Sequence, residues 1–572
     1  MEAGKRTLND IFNGNRVLEI PFFQRAYVWG EDQWERFLED MENLSQTQKP
    51  YFLGSVILKQ QQTSTAHNIG DIRTLIDGQQ RLTTLNIFFK VLCLKKNENA
   101  SFNRMFVLEK GELSLWHNHN DETSFKRILH LVELETIIET DSIINAYNFF
   151  KKRIDIDKVD RQTILNNIMF VGIDLSPDED EQQIFDTINS LGVRLTTAEL
   201  LKNYFFDRRQ IDNYIKFWKD VFEKDEDTRK YWDREITTGR TSRTFIDLFF
   251  YSYLQIKIQE KELSVKTADK VEFSKVETLF ESYKLFINDY NLDKDIILNE
   301  IKEYAQLFKD NFDYNIIENE LTDEYGIERI NAIIFGLETS TLIPYVLFIL
   351  KNIKDEKEKR EIFEFIESYV VRRIVVKATT KNYNQLFTGT LISNRILSKN
   401  ELCDFLKKRA DKINSFPSDQ ELKDGFDNSQ LINKQSAGIL YLLESKIRDR
   451  RKQATQLLGI SKYSLEHLMP KKWENNWGEV NNSDQVEFRN RKLLTLGNLT
   501  IITQSLNSSI RDSDWKIKKE GKAKNYGLVH FSAGIETLAP YLELQEWNEK
   551  EIDNRANFLY KKAVEIWKID IF

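Results

Sequence analysis

The sequence predicts an α+β fold, and three observations support this prediction. In residues 1–205 short apolar runs alternate with helical patterns. In residues 206–440 apolar residues recur at the three- and four-residue spacing of helices. In residues 441–572 two strand candidates precede a short helix. A chain of 572 residues is too long for one hydrophobic core, so we expect these three segments to be domains.

The composition is that of a globular protein, with 41% hydrophobic and 30% charged residues. The two cysteines, Cys93 and Cys403, are too few for a disulfide framework or a thiolate metal site, which suits a reducing cytosol. The first residues, MEAGKRTLNDIF, lack the apolar core of a signal peptide. Glu338 and Pro344 interrupt the apolar stretch 330–350, which therefore predicts two buried helical pieces. We expect a cytoplasmic protein with no membrane partner.

The distribution of charge favours the C-terminal part as the contact for nucleic acid. The net charge of −8 argues against a uniformly basic surface. Between Tyr441 and Gly527, however, there are 17 lysines and arginines but only 10 aspartates and glutamates. This local excess is suited to phosphates, although a solvated, lysine-rich helix face would explain it equally well.

The N-terminal strand candidates are RVLEIPFF, YFLGSVIL and IRTLID, and the polar segment 60–70 indicates a hairpin loop between the last two. The helix that follows carries an apolar stripe at three- and four-residue spacing, formed by Leu82, Leu85, Phe88, Phe89 and Leu92. Residues 74–85, TLIDGQQRLTTL, are therefore predicted to form a junction between a strand and a helix.

This junction has the properties of an anion site. The Asp77-Gly78 turn leaves the N–H groups of the first helical turn without backbone partners, at the positive end of the helix dipole. Arg81 adds a guanidinium, and Gly78 permits a close backbone approach. Further hydrogen bonds can come from the neighbouring polar side chains, Gln79, Gln80 and Thr83. Asp77 repels phosphate, so we assign it to the turn, to a magnesium ion or to a water. The alternative is an ordinary turn followed by a solvated arginine.

The four segments 20–29 (IPFFQRAYVW), 51–58 (YFLGSVIL), 75–85 (LIDGQQRLTTL) and 185–206 together resemble the N-terminal domain of the DUF262 family. This is the nucleotide-hydrolysing half of modification-dependent restriction proteins of the GmrSD and SspE type, and it is related to the ParB/sulfiredoxin fold. The resemblance implies a nucleoside-triphosphate site lined by Asp77, Gly78, Gln79, Gln80 and Arg81, with Gln24 and Arg25 close by.

The same resemblance implies that Asn189 and Gly192 help to frame this cavity. One departure from the family is Ala26, where relatives commonly carry proline. In SspE-like proteins this neighbourhood is linked to sensing sulfur-modified DNA, so the modification that is read here stays open.

A second cluster lies in YSLEHLMPKKW (463–473) and LLTLGNLTIITQSLNSSI (493–510). A lone histidine such as His467 is more often structural than catalytic. Here, however, Glu466 precedes it, Asn498 lies in a second strand candidate, and Asn507 lies where a helix begins. The order EHxxP, GNL and N resembles the DUF1524 version of the ββα-metal finger of HNH nucleases, here set within helices.

The resemblance implies that His467 is the general base, because a neutral imidazole is available at pH 7. Glu466 and Asn507 are implied as ligands of Mg²⁺ or Mn²⁺, which oxygen atoms suit. Asn498 belongs to the same catalytic set and is expected to brace the loop that holds His467. Three lysines just downstream are candidates for neutralising flanking DNA phosphates, namely Lys516, Lys518 and Lys519.

Other aromatic and histidine residues favour structural roles. We expect Tyr27, Trp29 and Trp34 in the core rather than against a base or a DNA modification. His117 and His119 alternate as metal ligands in a strand do, but a polar loop explains WHNHND better.

In the predicted helical middle region, Arg372 and Arg373 fit either buried ion pairs or a DNA contact. The segment 415–430 has the composition of a loop, and a new helix is predicted in 436–453. Trp515 is equally consistent with the core and with the lysine cluster beside it.

We therefore predict a nucleotide-regulated, modification-dependent DNA endonuclease that hydrolyses a nucleoside triphosphate and cuts or nicks DNA with a metal-dependent HNH site. Its expected role is bacterial or archaeal defence against modified phage DNA. The number of chains that assemble, including a homo-oligomer, stays open. One alternative is a nucleotide-switched DNA-binding clamp with an inactive nuclease finger, and another is a structural interaction protein.

Overall fold

The computed structural model of the chain describes residues 2–12, 16–21, 24, 26–61, 71–138, 141–177, 179, 196–206, 210–238, 241–408, 413–449, 456–478, 480, 482–522, 525–531 and 535–568. Contacts divide the chain into two compact units, Met1–Ile215 and Lys216–Phe572. The fold is a helix-rich mixture of helices and small sheets, in agreement with the predicted α+β class. The division of residues 206–572 into a middle region and a C-terminal domain remains a prediction.

A mixed six-stranded sheet organises the first unit. Its strands are β1 (Glu2–Thr7), β2 (Arg16–Glu19), β3 (Tyr51–Gln60), β4 (Asp71–Asp77), β5 (Leu115–Trp116) and β6 (Ile168–Leu175). They lie in the order β1-β6-β3-β4-β2-β5. Strands β3 and β4 are antiparallel neighbours, while β2 pairs with β4 and β3 pairs with β6 in parallel. The three predicted strands are thus confirmed, and the connection 62–70 between β3 and β4 lies outside the described residues.

The helices of the first unit are α1 (Leu8–Ile11), α2 (Glu31–Thr47), α3 (Gln79–Lys95), α4 (Asn99–Phe106), α5 (Glu122–Leu129), α6 (Ser142–Arg153), α7 (Arg161–Asn167), α8 (Thr197–Phe205) and α9 (Ile211–Tyr214). Helix α3 is the central one and contacts α4, α5 and α6. Because these neighbours surround it, 14 of its residues are buried, including the whole predicted stripe.

The polar residues of α3 find partners inside the unit. Asn86 Nδ2 donates to Leu82 O at 2.8 Å, and Lys90 Nζ donates to Asn99 Oδ1 at 2.7 Å. These bonds explain how a helix predicted to be amphipathic is buried on all sides.

The helices of the second unit are α10 (Asp220–Phe222), α11 (Glu226–Trp232), α12 (Phe245–Lys257), α13 (Thr267–Phe273), α14 (Leu279–Asp289), α15 (Lys294–Asn311), α16 (Ile327–Asn331), α17 (Ile343–Asn352), α18 (Glu356–Val375), α19 (Leu391–Ser393), α20 (Lys399–Lys408), α21 (Asp419–Asn428), α22 (Asn433–Ile447), α23 (Ser483–Lys492), α24 (Gln504–Ile510), α25 (Trp515–Glu520), α26 (Leu528–Phe531) and α27 (Glu549–Ile566). Among the described residues, three segments are π-helical, namely Ile215–Lys219, Ala332–Gly336 and Gln385–Thr390.

Short 3-10 helices connect several of these elements, at Lys261–Leu263, Tyr314–Glu318, Ser340–Leu342, Ile460–Lys462, Trp473–Asn475, Leu496–Asn498 and Ala539–Tyr541. The strands of this unit pair as β7 (Glu235–Thr238) with β8 (Thr241–Thr244), β9 (Tyr463–His467) with β10 (Leu499–Thr503), and β11 (Gly521–Lys522) with β12 (Asn525–Tyr526).

Two predictions for the middle region are wrong. The region is not all-helical, because β7 and β8 form an antiparallel hairpin rich in threonine, a β-branched residue that favours strands. The segment 415–430 is not a continuous loop, because α21 occupies much of it. Ser418 and Glu421 form a capping box at the start of α21, and this local signal outweighs the polar composition.

Other predictions for this region are confirmed. The stretch 330–350 forms two buried helical pieces, and a helix begins close to residue 436. Arg372 and Arg373 are buried, and Arg372 pairs with Asp419 at 2.7 Å. Arg373 donates to backbone carbonyls, including Thr379 O at 2.6 Å. Of the two alternatives for these arginines, the structure therefore supports the buried one.

The end of α27 is joined to the middle of the second unit by hydrogen bonds. Trp567 Nε1 donates to Glu367 Oε1 at 3.0 Å, and Arg372 Nε donates to Trp567 O at 2.7 Å. Tyr325 OH donates to Ile566 O at 2.7 Å. Residues more than 190 positions apart in the sequence are thereby held together.

Candidate functional site

The segments 20–29 and 75–85, two of the four that resemble the DUF262 family, contact each other where α3 begins. Val28 N donates to Gln80 Oε1 at 2.9 Å, and the hydroxyls of Tyr27 and Thr84 lie 2.6 Å apart. Trp34 Nε1 donates to Tyr27 OH at 2.8 Å. Tyr27 and Trp34 are buried, and Trp29 packs against the same core, as predicted for all three.

The segment 185–206 contacts the segment 20–29 through Gln24. Its side chain is buried, and Asn203 Nδ2 in α8 donates to Gln24 Oε1 at 3.1 Å. Three other predicted site residues, Arg25, Asn189 and Gly192, lie outside the described residues.

The backbone of the loop between β4 and α3 depends on Gly78. Its φ of 105° is in the left-handed region, and a Cβ there would lie 3.0 Å from Val56 Cγ2. Gly78 offers no side chain to cap α3, so the first turn of this helix has no side-chain acceptor from its N-cap residue. The helix N-terminus therefore retains its capacity to bind an anion.

Asp77 and Arg81 form an ion pair beside this terminus. Arg81 Nη2 lies 2.9 Å from Asp77 Oδ2 and also donates to Ser55 O at 2.8 Å. Ser55 Oγ donates to the same Asp77 oxygen. The segments 51–58 and 75–85 thus contact each other here. The positive charge of Arg81 balances the negative charge of Asp77, which would otherwise repel phosphate.

Two donors at this loop have no acceptor among the described residues. They are Gln80 Nε2 and Arg81 Nε, and both atoms are buried. Buried donors without partners are rare and costly, so they indicate a missing acceptor. Together with the uncapped helix, they fit a phosphate group better than the ordinary turn that the sequence left open.

His117 is not a surface residue. It is buried, its Nε2 lies 2.9 Å from Thr83 Oγ1, and its Nδ1 lies 3.4 Å from Asp121 Oδ2. Asp121 Oδ2 also accepts from Tyr27 N at 2.6 Å. The loop predicted for this segment is confirmed, since β5 ends at Trp116, but His117 is held within the core of the first unit, where it connects α3 to the Tyr27 loop.

In the second unit, β9, β10 and α24 form the predicted succession of strand, strand and helix. The strands are antiparallel, with His467 opposite Leu499 and Glu466 opposite Thr500. Helix α24 follows β10 without an intervening residue. Successive side chains of a strand alternate between its faces, so Glu466 and His467 project in opposite directions.

His467 is partly exposed at the end of β9. Burial, together with the positive charges of Lys471 and Lys518, lowers the pKa of His467 to about 4. The imidazole is therefore neutral at pH 7, and no hydrogen bond to a described residue occupies its ring nitrogens.

Glu466 is buried and forms an ion pair with Lys518 of α25. Lys518 Nζ also donates to His467 O at 2.6 Å. Burial raises the pKa of the Glu466 carboxyl and lowers the pKa of the Lys518 ammonium, although each charge stabilises the other. The carboxylate predicted as a metal ligand thus already has a cationic partner.

Asn498 braces the segment that follows His467, as expected. Its Oδ1 accepts from Met469 N at 2.8 Å and from Trp547 Nε1 at 2.9 Å. Its Nδ2 donates to Met469 O at 2.8 Å and to Leu493 O at 3.0 Å. All four hydrogen bonds of the Asn498 amide are thus made inside the protein, two of them to the backbone of Met469.

Asn507 lies on α24 and is partly exposed. Its Nδ2 donates to Ser464 Oγ at 3.0 Å and to Leu465 O at 3.1 Å, both in β9. No described residue donates to its Oδ1, which therefore remains available as an acceptor or a metal ligand.

The sequence did not indicate two residues that hold the loop before β10. A Cβ at Gly497 would lie 2.3 Å from Ile552 O in α27, so only glycine allows this close approach. Arg555 of the same helix is fully buried and donates to Gly497 O at 2.9 Å and to Leu499 O at 2.7 Å. Burial lowers the pKa of Arg555 to about 10. The glycine in GNL was the only local signal of this contact.

The three lysines predicted to contact DNA differ in exposure. Lys518 is buried against Glu466, and the buried Lys519 donates to Leu544 O at 3.0 Å. Only Lys516 is exposed. The predicted phosphate contact is thus corrected for Lys518 and Lys519, whose ammonium groups are used inside the unit, and Trp515 beside them is a core residue.

The two side chains predicted as metal ligands, Glu466 and Asn507, carry oxygen donors of the kind that a hard divalent cation binds. The described residues contain no group of three His, Cys, Asp or Glu side chains that could hold a metal ion. The Glu466 carboxylate and the Asn507 amide oxygen nevertheless have the chemistry that Mg²⁺ and Mn²⁺ prefer. A bound ion would compete with the Lys518 ammonium for Glu466.

None of the helices in the described part of the chain is both long and apolar enough to cross a bilayer.

Comparison with known protein families identifies both ends of the chain. A family model for the GmrSD restriction endonuclease N-terminal domain matches residues 8–206, and one for the GmrSD restriction endonuclease C-terminal domain matches residues 416–562. No curated protein gives a match. The first match contains the Asp77 loop, and the second contains His467 and both asparagines. The chain therefore belongs to the GmrSD restriction endonucleases, a family whose substrate is DNA.

Proposed function

We propose that this endonuclease is regulated by a nucleoside triphosphate and is directed to modified DNA, which it cuts or nicks with a metal-dependent HNH site. Such an activity suits cytoplasmic defence against phage DNA. The observation that supports the nuclease part most directly is the partly exposed, neutral imidazole of His467 at the end of β9, two strand positions beyond the backbone contact of Asn507.

In this proposal His467 accepts a proton from the water that attacks the scissile phosphodiester. Asn498 fixes the backbone after His467, so that the imidazole keeps its orientation. A divalent ion held by Glu466 and Asn507 would stabilise the charge on the scissile phosphate and on the leaving oxygen. Lys516 offers an exposed cation for a neighbouring phosphate.

The triphosphate is proposed to bind at the N-terminus of α3, in a ParB-like domain. The uncapped first turn and the unpartnered Gln80 and Arg81 nitrogens would meet its phosphate oxygens. Binding can shift a conformational equilibrium only if two states of the protein bind the nucleotide differently.

Plasmid nicking with Mg²⁺ or Mn²⁺ tests the nuclease. We expect the native chain to convert modified supercoiled plasmid to open-circular or linear DNA, and His467→Ala to leave it intact. His530→Ala is the matched control, because His530 is an exposed histidine of the same unit. If native protein and His467→Ala leave every modified and unmodified plasmid equally intact, the nuclease assignment is wrong.

Equilibrium binding of labelled nucleoside triphosphates tests the N-terminal site. Arg81→Ala should weaken binding at least tenfold, because it removes a guanidinium from the helix N-terminus. Arg104→Ala, which removes an exposed arginine of the same unit, should not. Equal binding by Arg81→Ala and native protein would remove the phosphate-loop assignment.

One observation favours a nucleotide-switched DNA-binding clamp with an inactive finger, namely the ion pair that occupies Glu466. This alternative predicts nucleotide-dependent DNA binding with no nicking under any metal. The plasmid assay separates the two functions, because only the nuclease loses an activity in His467→Ala.

A further inference from the structure

A cavity of about 500 Å³ lies beside the proposed nuclease site, between α24, β9 and the start of α22. Its walls include the apolar side chains of Phe335, Tyr463 and Leu465, and amide side chains contributed by Asn433, Gln504 and Asn507. This volume is within the range of roughly 300–1,000 Å³ that is typical of sites for small organic groups. The cavity shares Asn507 with the site proposed to hold the metal.

The amides give this cavity a specific polar edge. Gln504 and Asn507 are three residues apart on α24, so they lie on the same face of the helix. The Nδ2 hydrogens of Asn507 are used by β9, while no described residue donates to its Oδ1. Amide side chains combine donors and acceptors, which is the pattern that pairs with the edge of a nucleobase.

The charge of the cavity argues against a phosphate. Lys434 is the one charged side chain among the described residues that line it, and it pairs with Glu338 at 2.5 Å. A nucleoside triphosphate would bring several negative charges to a cavity whose lysine is already paired with a carboxylate. An uncharged planar ring instead meets aromatic and aliphatic walls on its faces and amides at its edge.

We propose that this cavity binds a nucleobase that has been unstacked from DNA next to the bond that is cut. The proposal rests on the proposed nuclease function. Leu465 lies two residues before His467 on the same strand, so a base in the cavity would belong to a nucleotide close to the reacting phosphate. Enzymes that act on a single base of a DNA duplex place that base in such a pocket, which shows that a protein can hold an unstacked base there.

The test is a scan with 2-aminopurine, whose fluorescence rises when it leaves the base stack. Duplexes with this base at successive positions around the nick site are mixed with full-length protein in EDTA, so that no DNA is cut. We expect a several-fold rise at one or two adjacent positions. Ala437→Phe and Ser461→Phe fill the cavity from two walls and should abolish the rise.

DNA affinity in these variants should change less than about threefold, because backbone contacts carry most of it. The matched control is Ala268→Phe, in which the same substitution is made at an exposed alanine of the second unit and the rise should persist. Melting curves verify that each variant is folded, and Ser461 is exposed enough to tolerate the larger side chain.

Each other outcome overturns the proposal. If native protein nicks the same DNA in Mn²⁺ while 2-aminopurine fluorescence rises at no position, the nuclease assignment is supported and the proposed base pocket is wrong, regardless of the results with the variants. If the rise persists in both filling variants, the unstacked base lies elsewhere. If Ala437→Phe loses triphosphate binding but keeps the rise, the cavity is a nucleotide site. If native protein neither binds nor nicks DNA, the proposed function fails as well.

Discussion

Replacing Asn498 by alanine would test whether this residue acts as a brace. The substitution leaves four buried groups without their partner, namely the N–H and C=O of Met469, the carbonyl of Leu493 and the indole N–H of Trp547. Each buried polar group left unpaired costs about 1–3 kcal/mol, and local relaxation keeps the total below the plain sum. We expect a loss of about 3–5 kcal/mol in the free energy of unfolding, which is large for a single substitution.

Urea unfolding followed by fluorescence and by circular dichroism measures this change. The matched control is Asn400→Ala, because Asn400 is an exposed asparagine of the same unit and its loss should change stability by less than about 0.5 kcal/mol. Nicking by Asn498→Ala should also fall at temperatures where the variant is still folded, because the backbone after His467 is no longer fixed.

A different pattern would refute this account of Asn498. If Asn498→Ala is as stable as Asn400→Ala and yet does not nick DNA, Asn498 takes part in the chemistry directly. If Asn498→Ala loses stability while each folded molecule nicks DNA at the native rate, the brace does not position His467.

Three further predictions concern pH, the metal and the nucleotide. Nicking should persist as the pH falls through 6.5 and decline only near pH 4, because the lowered pKa of His467 keeps its imidazole neutral down to about that value. Initial rates in overlapping buffers measure this, and an acid limb centred near 6.5 would contradict it. Lys518→Met should lower the melting temperature in EDTA, since it leaves the buried Glu466 charge unpaired, and Mn²⁺ should restore more stability to the variant than to native protein. Equal effects of Mn²⁺ on both proteins would argue against Glu466 as a ligand. Gly78→Ala should weaken triphosphate binding at least tenfold in calorimetry, because its left-handed φ and its contact with Val56 exclude a Cβ, and unchanged affinity would contradict the loop geometry.

The elements around both candidate sites were predictable because their signals are local. An apolar run that ends in Asp-Gly and is followed by helical spacing predicts the β4 to α3 junction from 12 consecutive residues. The two strands and the helix around His467 have similarly local patterns. The hairpin of β7 and β8 was missed because two four-residue strands are too short to stand out within long helical periodicity.

The partners of the site residues were less predictable, because contacts between distant segments leave no local pattern. Trp547 and Arg555 lie about 50 residues beyond the loop that they hold, and an aromatic and an arginine in that region resemble ordinary core and surface residues. Lys518 was predicted to be exposed because lysine usually is. Its burial follows from pairing with Glu466, which only the packing of α25 against β9 establishes.

The hydrogen bonds at Trp567 have a practical consequence for anyone who wants to use the proposed nuclease site as a separate fragment. Trp567, which follows the last turn of α27, is held by Glu367 and Arg372, and these side chains belong to the helical region that would be discarded in such a fragment. Deleting that region would remove the acceptor of the Trp567 indole N–H and the donor to the Trp567 carbonyl. It would also expose the apolar face of α27. A fragment that contains only the proposed nuclease site is therefore expected to fold poorly, and a domain exchange should use the whole of Lys216–Phe572.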